Sequence, residues 1–238
     1  MIPVSIVIPV YNSSAMLKEQ LPPFLTWLRR RPYASEVILV DDGSDDRDIT
    51  ASLAKEWELP FLQLPVNQGK GEALRKGFQI AKGAVQLFTD ADIPFQYQNI
   101  DTFVSLLNQD PHRLVIGDRT NPRSVYFEKT SRLRNWGSNT VSTLVHLLFA
   151  RNIKDTQCGL KGMGKEIARQ LFDRSQIRRF AIDIELIYLA SKLNIPIEKV
   201  PVQLRYNDSS TVHAAKDGLR LLYDIYRIRK THGKKVYK

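Results

Sequence analysis

Apolar and polar positions alternate along the first half of the chain in a pattern that predicts strands and helices in turn. Short apolar runs predict β-strands over residues 4–10, 36–40, 61–64, 84–89 and 113–117. Between them, apolar residues with a helical period predict helices over residues 14–29, 46–58, 71–81 and 98–109. This alternation is typical of a doubly wound parallel sheet, so we predict a single Rossmann-like α/β domain.

Polar residues follow each of the first four predicted strands. The four segments are residues 9–12, 41–45, 67–71 and 90–92. In a doubly wound sheet the ligands bind at the carboxyl ends of the strands, so these segments are expected to meet in one binding site. Residues 41–45 could also form only a turn before the second helix, with Asp45 or Asp46 as its N-cap.

Asp90 and Asp92 stand one residue apart where an apolar run ends. Side chains at i and i+2 of a strand point the same way, so the two carboxylates can converge on one cation. Hard oxygen ligands suit Mg²⁺ or Mn²⁺. A short pair of this kind could also be solvated loop carboxylates, but the three neighbouring polar segments favour a metal site.

Gly69 and Gly71 flank Lys70 at the start of a predicted helix. This arrangement could let backbone amides and an ammonium group approach a phosphate. The segment lacks the P-loop pattern, and the first strand is not followed by Gly-x-Gly-x-x-Gly. Both absences argue against P-loop ATP hydrolysis and against a nicotinamide cofactor.

The formal net charge of +10 indicates anionic partners such as nucleotides, lipid phosphates, acidic membranes or nucleic acid. Residues 212–238 hold eight Lys or Arg residues against Asp217 and Asp224, which is a net +6. We therefore predict a catalytic domain over residues 1–211 and a basic amphipathic helix and tail over residues 212–238. The sequence contains no run of about 18 consecutive apolar residues, so we predict no membrane-spanning helix.

The start of the chain and its cysteine content favour a cytoplasmic location. Residues 1–9 have neither a basic region nor a small-residue cleavage site, so we expect no signal peptide. The single cysteine, Cys158, excludes an internal disulfide and fits a reducing compartment.

The sequence resembles the family 2 glycosyltransferases, which have the GT-A fold and use nucleotide-sugar donors. The resemblance lies in four segments in this order, residues 8–12, 40–44, 67–77 and 90–92. The resemblance implies that Pro9, Tyr11 and Asp42 hold the base and ribose. It also implies that Asp90 and Asp92 lie at the metal and pyrophosphate. The remaining donor-site candidates in these segments are Asn12, Asp41, Gly69 and Ala91.

The second half of the chain is similar to the subgroup that glycosylates polyprenyl and dolichyl phosphates. The similarity lies in residues 117–119, Arg132, Arg134, Ser138 and residues 155–161 and 180–186. Residues 155–161, Asp-Thr-Gln-Cys-Gly-Leu-Lys, are most similar to the β-glucosyl enzymes of that subgroup, which implies UDP-glucose as donor. The acceptor-phosphate candidates are Arg119, Arg134 and Ser138, with Arg205 as a weaker fourth.

A phosphate acceptor explains the chemistry expected of these residues. Its second pKa is about 6, so it is largely deprotonated near neutral pH and needs no strong general base. It does need cations, and arginine offers forked donors that match phosphate oxygens. We predict one in-line, inverting displacement, with Asp92 at the metal and Lys70 assisting the leaving group.

Three further acidic residues, Asp155, Asp183 and Glu185, are catalytic candidates whose roles the sequence leaves open. They could orient sugar hydroxyls or the arginines, or they could pair with basic residues to hold an active-site loop. For Asp183 and Glu185, on an apolar segment with a helical pattern, the structural role is as well supported as the catalytic one.

A lipid acceptor requires access to a membrane, and two segments could provide it. Residues 136–150 predict a strongly apolar helix. Residues 216–230 predict a helix with Leu219, Leu222, Tyr223 and Tyr226 on one side and Arg220, Asp224 and Arg227 on another. This second helix could pack on the core or lie on an anionic membrane surface. We favour peripheral attachment to the cytoplasmic face of a membrane.

Three alternatives stay open. A family 2 transferase could use GDP-mannose or a saccharide acceptor instead. A charge of +10 also fits a basic nucleic-acid-binding protein, although the tail carries no recognised RNA-binding motif, so we expect no nucleic-acid partner. A non-catalytic donor-binding module is the third, and the intact Asp90 and Asp92 argue against it.

Overall fold

The computed structural model describes residues 3–126, 153, 155–205, 214–235 and 237. Within this part of the chain, a seven-stranded sheet forms the centre of the molecule, with strand order β3-β2-β1-β4-β7-β5-β8. Its strands are β1 (Val4–Val10), β2 (Ser35–Asp41), β3 (Phe61–Gln63), β4 (Val85–Phe88), β5 (Leu114–Asp118), β7 (Lys161–Gly164) and β8 (Ile197–Pro201). A separate two-stranded sheet joins β6 (Val125–Tyr126) to β9 (Gln203–Leu204).

Helices cover the sheet and connect its strands. They are α1 (Ser14–Leu28), α2 (Arg47–Glu56), α3 (Lys70–Ile80), α4 (Gln98–Gln109), α5 (Lys165–Phe172), α6 (Ile182–Lys192) and α7 (Ala214–His232). The first five predicted strands and the first four predicted helices all form, close to their predicted bounds. The predicted helix over residues 136–150, like Arg132, Arg134 and Ser138, lies outside the described residues.

The register of the parallel strands brings the predicted polar segments to one edge of the sheet. Val10 at the end of β1 lies opposite Asp41 at the end of β2, and Val7 lies opposite Phe88 at the end of β4. The polar residues that follow these strands therefore emerge side by side, as predicted from their positions in the sequence.

Strand β7 differs from the prediction of a wholly parallel sheet. It lies between β4 and β5 and is antiparallel to both, so Lys161 at its amino end lies opposite Phe88. Its sequence, Lys-Gly-Met-Gly, lacks the apolar alternation that marks a strand. Gly162 packs closely against β4, because a Cβ there would lie 2.2 Å from Leu87 Cδ2 and the buried Leu87 side chain would have to shift.

The core formed by the described residues has three parts. Two large clusters of buried apolar side chains fill the two faces of the sheet. A third, smaller cluster packs Ile225 and Ile228 of α7 against Ile177, Ala181 and Ile184. Burying an isoleucine side chain contributes roughly 1.5–3 kcal/mol, so these contacts anchor α7 to α6 and the segment before it.

The opposite face of α7 is exposed. Leu222, Tyr223 and Tyr226, three of the residues predicted to share one side, point away from the buried face. Among the described residues, no helix combines the length and apolar character needed to cross a bilayer.

Candidate active site

The loops after β1 and β2 are locked together at the carboxyl edge of the sheet. Asp41 accepts a hydrogen bond from the Ser44 amide (2.9 Å), and the Ser44 hydroxyl oxygen accepts one from the Asn12 amide (2.9 Å). Asn12 has a φ of 47°, a left-handed conformation that asparagine adopts more readily than most residues. Pro9 is the last residue but one of the same strand. Tyr11 is 47% exposed, so its ring is available to a flat ligand group.

Asp46 occupies the N-cap position of α2, one of the two positions predicted for the cap, but its carboxylate makes no capping hydrogen bond there. It accepts a hydrogen bond from the Ser14 amide at the start of α1 instead, at 2.9 Å. The predicted position is confirmed and the predicted contact is wrong. Because both helices begin at the same edge of the sheet, one aspartate can join their first turns.

Asp42 is buried at the end of β2 and holds the glycine-containing loop. Its two carboxylate oxygens accept hydrogen bonds from the amides of Gln68 (2.8 Å) and Gly69 (2.7 Å). Burial raises the pKa of the Asp42 carboxyl, and the two amides offset that rise only in part. Gly69 has a φ of 101°, and a Cβ there would lie 2.5 Å from the Arg178 carbonyl oxygen, so only glycine fits this turn.

The amino end of α3 rests on the carbonyl oxygen of Arg178. That oxygen accepts hydrogen bonds from the amides of Gly71 (2.7 Å) and Glu72 (3.2 Å). Together with the two amides that bind Asp42, four backbone donors of this loop are therefore engaged by protein acceptors. The expected phosphate cradle of backbone amides is not formed by these four groups, and the Lys70 side chain is the cation that this loop presents.

Four charged side chains form a continuous chain at the carboxyl edge of the sheet. The Lys70 ammonium lies 2.8 Å from Asp90 Oδ1 and 3.1 Å from Asp183 Oδ2. The other oxygen of Asp183 lies 2.5 Å from Lys161 Nζ. Both ammonium groups also lie over the Phe88 ring, at 5.6 and 5.7 Å from its centroid. The order of the side chains in this chain of charges is Asp90, Lys70, Asp183, Lys161.

This chain of charges is buried at its Lys161 end and partly exposed at its Asp90 end. Lys161 and Asp183 are almost fully buried, whereas the Asp90 side chain is 40% exposed. Burial acts to raise the pKa of Asp183, but Lys161 and Lys70 outweigh it and hold that pKa below its usual range. Burial acts to lower the pKa of Lys70, but Asp183 and Asp90 outweigh it and raise that pKa. Asp183 and Lys70 are therefore charged at neutral pH.

Gly159 lets the motif of residues 155–161 approach Asp90. A Cβ at Gly159 would lie 1.9 Å from Asp90 Oδ2, so any other residue would displace the carboxylate. Cys158, the preceding residue, is fully buried, and burial raises the pKa of its thiol to about 12. Cys158 is therefore a neutral packing group and not a thiolate nucleophile.

Arg119, predicted to bind the acceptor phosphate, is held by Asp155. Its Nε and Nη2 atoms lie 2.8 and 2.9 Å from the two Asp155 oxygens, and its amide donates to the same carboxylate at 2.8 Å. The guanidinium is thereby fixed in one orientation and still 30% exposed. This contact matches the alternative in which Asp155 orients an arginine.

Glu185, predicted as a catalytic candidate, lies in the interior. Its carboxylate accepts hydrogen bonds from the amides of Gln176 (2.9 Å) and Ile177 (2.8 Å) and from His232 Nε2 (2.8 Å). Its side chain is 1% exposed. The structure thus brings Asp183 into the charged chain and turns Glu185 toward the segment before α6.

Arg205 lies beside the turn that follows Asp92. Its amide donates to the carbonyl oxygen of Pro94 at 2.7 Å, and its guanidinium stacks over the Tyr97 ring at 4.5 Å. The other two predicted acceptor-phosphate residues, Arg134 and Ser138, lie outside the described part of the chain.

Asp90 and Asp92 supply the oxygen donors suited to a divalent metal. They follow β4 on either side of the buried Ala91, and Asp90 keeps an exposed carboxylate although Lys70 binds one of its oxygens. No group of three or more His, Cys, Asp or Glu residues that could hold a metal occurs in the described ranges. Two carboxylates fit Mg²⁺ or Mn²⁺ when substrate phosphates and water complete the coordination.

Sequence reasoning missed three parts of the site. Lys161 and Gly159 stand in the motif of residues 155–161, but their partners lie far away along the chain and no local pattern predicts those contacts. The carbonyl oxygen of Arg178 is a backbone group, which carries no residue signal at all.

The Arg119–Asp155 pair predicts acid sensitivity. Burial acts to raise the pKa of Asp155, but its bonds to Arg119 outweigh it and hold that pKa below its usual range. Such a carboxyl group stabilises the fold above its unfolded pKa of about 3.9, and this stability is lost as the pH falls through the folded value. We expect the wild-type free energy of unfolding, measured with urea, to fall more steeply between about pH 5 and pH 2 than that of Asp155→Asn.

The exposed Asp45 provides the control for this experiment. Asp45→Asn should keep the wild-type slope of stability against pH. Parallel slopes for wild type and Asp155→Asn would contradict the prediction.

Residues 5–172 match the family model described as Glycosyl transferase family 2. The match covers more than half of the chain, which therefore belongs to this family, as the resemblance of the polar segments implied.

Within the family, the chain is similar to proteins named dolichyl-phosphate β-glucosyltransferase. The protein of Dictyostelium discoideum is 32% identical over 241 residues, which cover 94% of this chain and 73% of the relative. The Drosophila melanogaster protein is 30% identical, with 94% and 73% covered, and the human protein is 29% identical, with 94% and 74% covered. The chain thus spans about three quarters of these relatives' length.

Solved structures show the same fold. Mannosyl-3-phosphoglycerate synthase from Rubrobacter xylanophilus superimposes with a TM-score of 0.73 at 18% identity, covering 100% of this chain and 77% of that one. Glucosyl-3-phosphoglycerate synthase from Mycobacterium tuberculosis, in complex with UDP, gives 0.71 at 18% identity, covering 95% and 80%. These likenesses confirm the predicted GT-A fold.

Proposed function

We propose that this protein transfers glucose from UDP-glucose to a polyprenyl or dolichyl phosphate, with inversion at the anomeric carbon, at the surface of a membrane. The observation that carries the proposal is the placement of residues 155–161. Asp155 binds the partly exposed Arg119, Gly159 lies against Asp90, and Lys161 pairs with Asp183. The motif of residues 155–161, which is similar to that of enzymes that glycosylate lipid phosphates, thereby connects Arg119, the acceptor-phosphate candidate, to Asp90, the donor-site carboxylate.

The names of similar proteins support the proposed substrates. The relatives are named for glucose and dolichyl phosphate. The Mycobacterium tuberculosis synthase, which shares the fold, has been solved with Mn²⁺, UDP-glucose and phosphoglyceric acid. The names of the relatives favour glucose over mannose as the sugar and a lipid phosphate over a neutral saccharide as the acceptor. The solved structures include both a mannosyl and a glucosyl synthase, and both are named for a phosphate-bearing acceptor.

On the donor side, Tyr11 and Asp42 would receive the base and ribose at the ends of β1 and β2. Asp90 and Asp92 would hold Mg²⁺ or Mn²⁺, which supplies charge neutralisation for the leaving nucleoside diphosphate. Lys70 lies 2.8 Å from Asp90, so its ammonium group is placed to contact the same diphosphate. Asp183 keeps Lys70 charged and fixes its direction.

On the acceptor side, Arg119 presents its guanidinium in the orientation set by Asp155. It would draw the lipid phosphate toward an anionic donor and hold a phosphate oxygen in line with the anomeric carbon. The phosphate is itself the nucleophile, because its second pKa is about 6 and no proton has to be removed near neutral pH.

The α7 helix supplies the membrane contact in this proposal. Its exposed face carries Leu222, Tyr223 and Tyr226, with Arg220 and Arg227 also exposed. Aromatic and apolar side chains beside arginines suit the interface of an anionic bilayer. The cytoplasmic face, which carries the anionic lipids, is the side we propose.

The direct test is transfer of radiolabelled sugar to a short polyprenyl phosphate, with UDP-glucose and GDP-mannose in parallel, with Mn²⁺ and then with EDTA. Glycolipid from UDP-glucose that disappears with EDTA is the expected result. Product from GDP-mannose alone would change the donor, and absence of glycolipid from both donors would withdraw the role of Arg119. Salt-sensitive DNA binding without any transfer would favour the nucleic-acid alternative.

Gly159→Ala is expected to lower sugar transfer at least tenfold while leaving a folded protein, because its Cβ would lie 1.9 Å from Asp90 Oδ2 and push that carboxylate away. Gly164→Ala is the matched control. A Cβ there would lie 2.5 Å from the Pro111 carbonyl oxygen, at the opposite end of β7. It should lower the melting temperature without a specific loss of rate. Equal rates for the two variants would contradict the assignment of Gly159.

A further inference from the structure

We propose that His232, at the carboxyl end of α7, is a positioning residue for Lys70. It acts through Glu185 on residues 176–179, called here the bracing segment, against which the amino end of α3 rests. This inference rests on the proposed function in one respect, namely the role of Lys70 at the donor diphosphate.

The first contact joins α7 to α6. His232 Nε2 lies 2.8 Å from Glu185 Oε1, and both side chains are almost completely buried. On its other side, the His232 Nδ1 atom contacts the Tyr237 hydroxyl. Because the Glu185 carboxylate can only accept hydrogen bonds, Nε2 carries the donated proton and the imidazole is fixed in orientation.

The second contact joins α6 to the bracing segment. The Glu185 oxygens accept hydrogen bonds from the backbone amides of Gln176 at 2.9 and 3.0 Å and of Ile177 at 2.8 Å. A buried carboxylate requires such donors, and removing any of them leaves charge unsatisfied. His232 is the side-chain donor of this set in the described residues, so it helps to hold Glu185 against the segment.

The third contact joins the bracing segment to α3. The Arg178 carbonyl oxygen accepts from the Gly71 and Glu72 amides at 2.7 and 3.2 Å. The approach is close, since a Cβ at Gly71 would lie 2.3 Å from the Ile177 carbonyl oxygen. Arg75, further along α3, donates to that Ile177 oxygen at 3.0 Å. The first turn of α3 therefore cannot shift without moving this segment.

Lys70 is the first residue of α3, and its ammonium group bridges Asp90 and Asp183. Three successive contacts thus connect the end of α7 to the cation that faces the donor. The same helix carries the exposed Leu222, Tyr223 and Tyr226 that we assign to the membrane surface. The element that meets the lipid and the lysine that meets the donor are parts of one packed unit.

Two variants of His232 separate the proposed contact from general packing. A glutamine places a side-chain N–H near the position of the imidazole Nε2, toward Glu185, whereas an asparagine places one near Nδ1, toward Tyr237. We expect His232→Asn and His232→Ala to lower kcat about tenfold, with the KM for UDP-glucose changed less than about twofold, and His232→Gln to retain most of kcat. The exposed His112 provides the control, and His112→Ala should keep the wild-type kcat.

Native-state hydrogen exchange of the wild-type protein tests the same coupling without any variant or substrate. The Gly71, Glu72, Gln176 and Ile177 amides should open with the last turn of α7 as one unit when denaturant is raised. Opening of α7 at low denaturant, with these four amides still protected, would overturn the proposal. Equal kcat for the glutamine and asparagine variants would overturn it as well.

The two experiments also separate this proposal from the proposed function. Absence of glycolipid from wild-type protein would remove the function, while hydrogen exchange would still report whether α7 braces α3. Normal wild-type transfer together with independent opening of α7 would remove only the role of His232.

Discussion

Asp90→Asn is expected to lower the rate of sugar transfer about 100-fold or more while leaving the protein folded. The substitution keeps the size of the side chain but removes the charge of a proposed metal ligand. It also leaves the Lys70 ammonium, 2.8 Å away, with Asp183 as its carboxylate partner in this chain of charges. The loss should appear mainly in kcat, because in the proposed function a metal held by Asp90 and the Lys70 ammonium would both stabilise the charge that develops on the leaving diphosphate.

Asp110→Asn is the matched control for this experiment. The Asp110 side chain is 37% exposed, close to the 40% of Asp90, and it pairs with Arg113 at 2.9 Å. It precedes β5 and so lies at the opposite edge of the sheet from the site. Rates should be measured over a range of Mn²⁺ concentrations, where a weakened metal site shifts the midpoint. Wild-type rate and an unchanged Mn²⁺ midpoint in Asp90→Asn would withdraw the metal assignment.

The sequence predicted the parallel half of the sheet because its strands carry their own signal. Residues 4–10 are apolar along nearly their whole length, as a strand buried on both faces must be, and the polar residues after each strand mark the ligand edge. Strand β7 carries no such signal. Its position depends on Gly162 fitting against Leu87, a contact between residues far apart in sequence.

The same distinction holds within the site. Asp42 and Asp90 follow strands, so a local pattern was enough to select them. The alternatives for Asp183 and Glu185 could not be separated locally, because both stand on one apolar helix with partners elsewhere. The structure separates them by those partners, which are Lys70 and Lys161 for Asp183 and a histidine 47 residues away for Glu185.

Asp183→Asn is expected to lower the free energy of unfolding by about 3–5 kcal/mol. Lys161 is fully buried, and besides Asp183 its ammonium contacts the carbonyl oxygens of Thr156 and Cys158. Without the carboxylate, the Lys161 ammonium would lie beside Phe88 as a buried charge without a carboxylate partner in this chain of charges, while Lys70 would keep Asp90. Because a domain is stable by only about 5–15 kcal/mol, this loss should be plain in urea unfolding and in melting temperature.

Lys161→Met in the Asp183→Asn background tests whether the cost comes from the stranded charge. The methionine removes the buried ammonium while filling most of its space, so the double variant should regain a large part of the lost stability. The coupling between the two substitutions should then exceed about 1 kcal/mol, as expected for residues in one ion-pair network. Simple addition of the two single losses would contradict the pairing. The double variant should still transfer sugar slowly, because Lys70 has lost the carboxylate that directs it, and recovery of stability without recovery of rate would separate the two roles of Asp183.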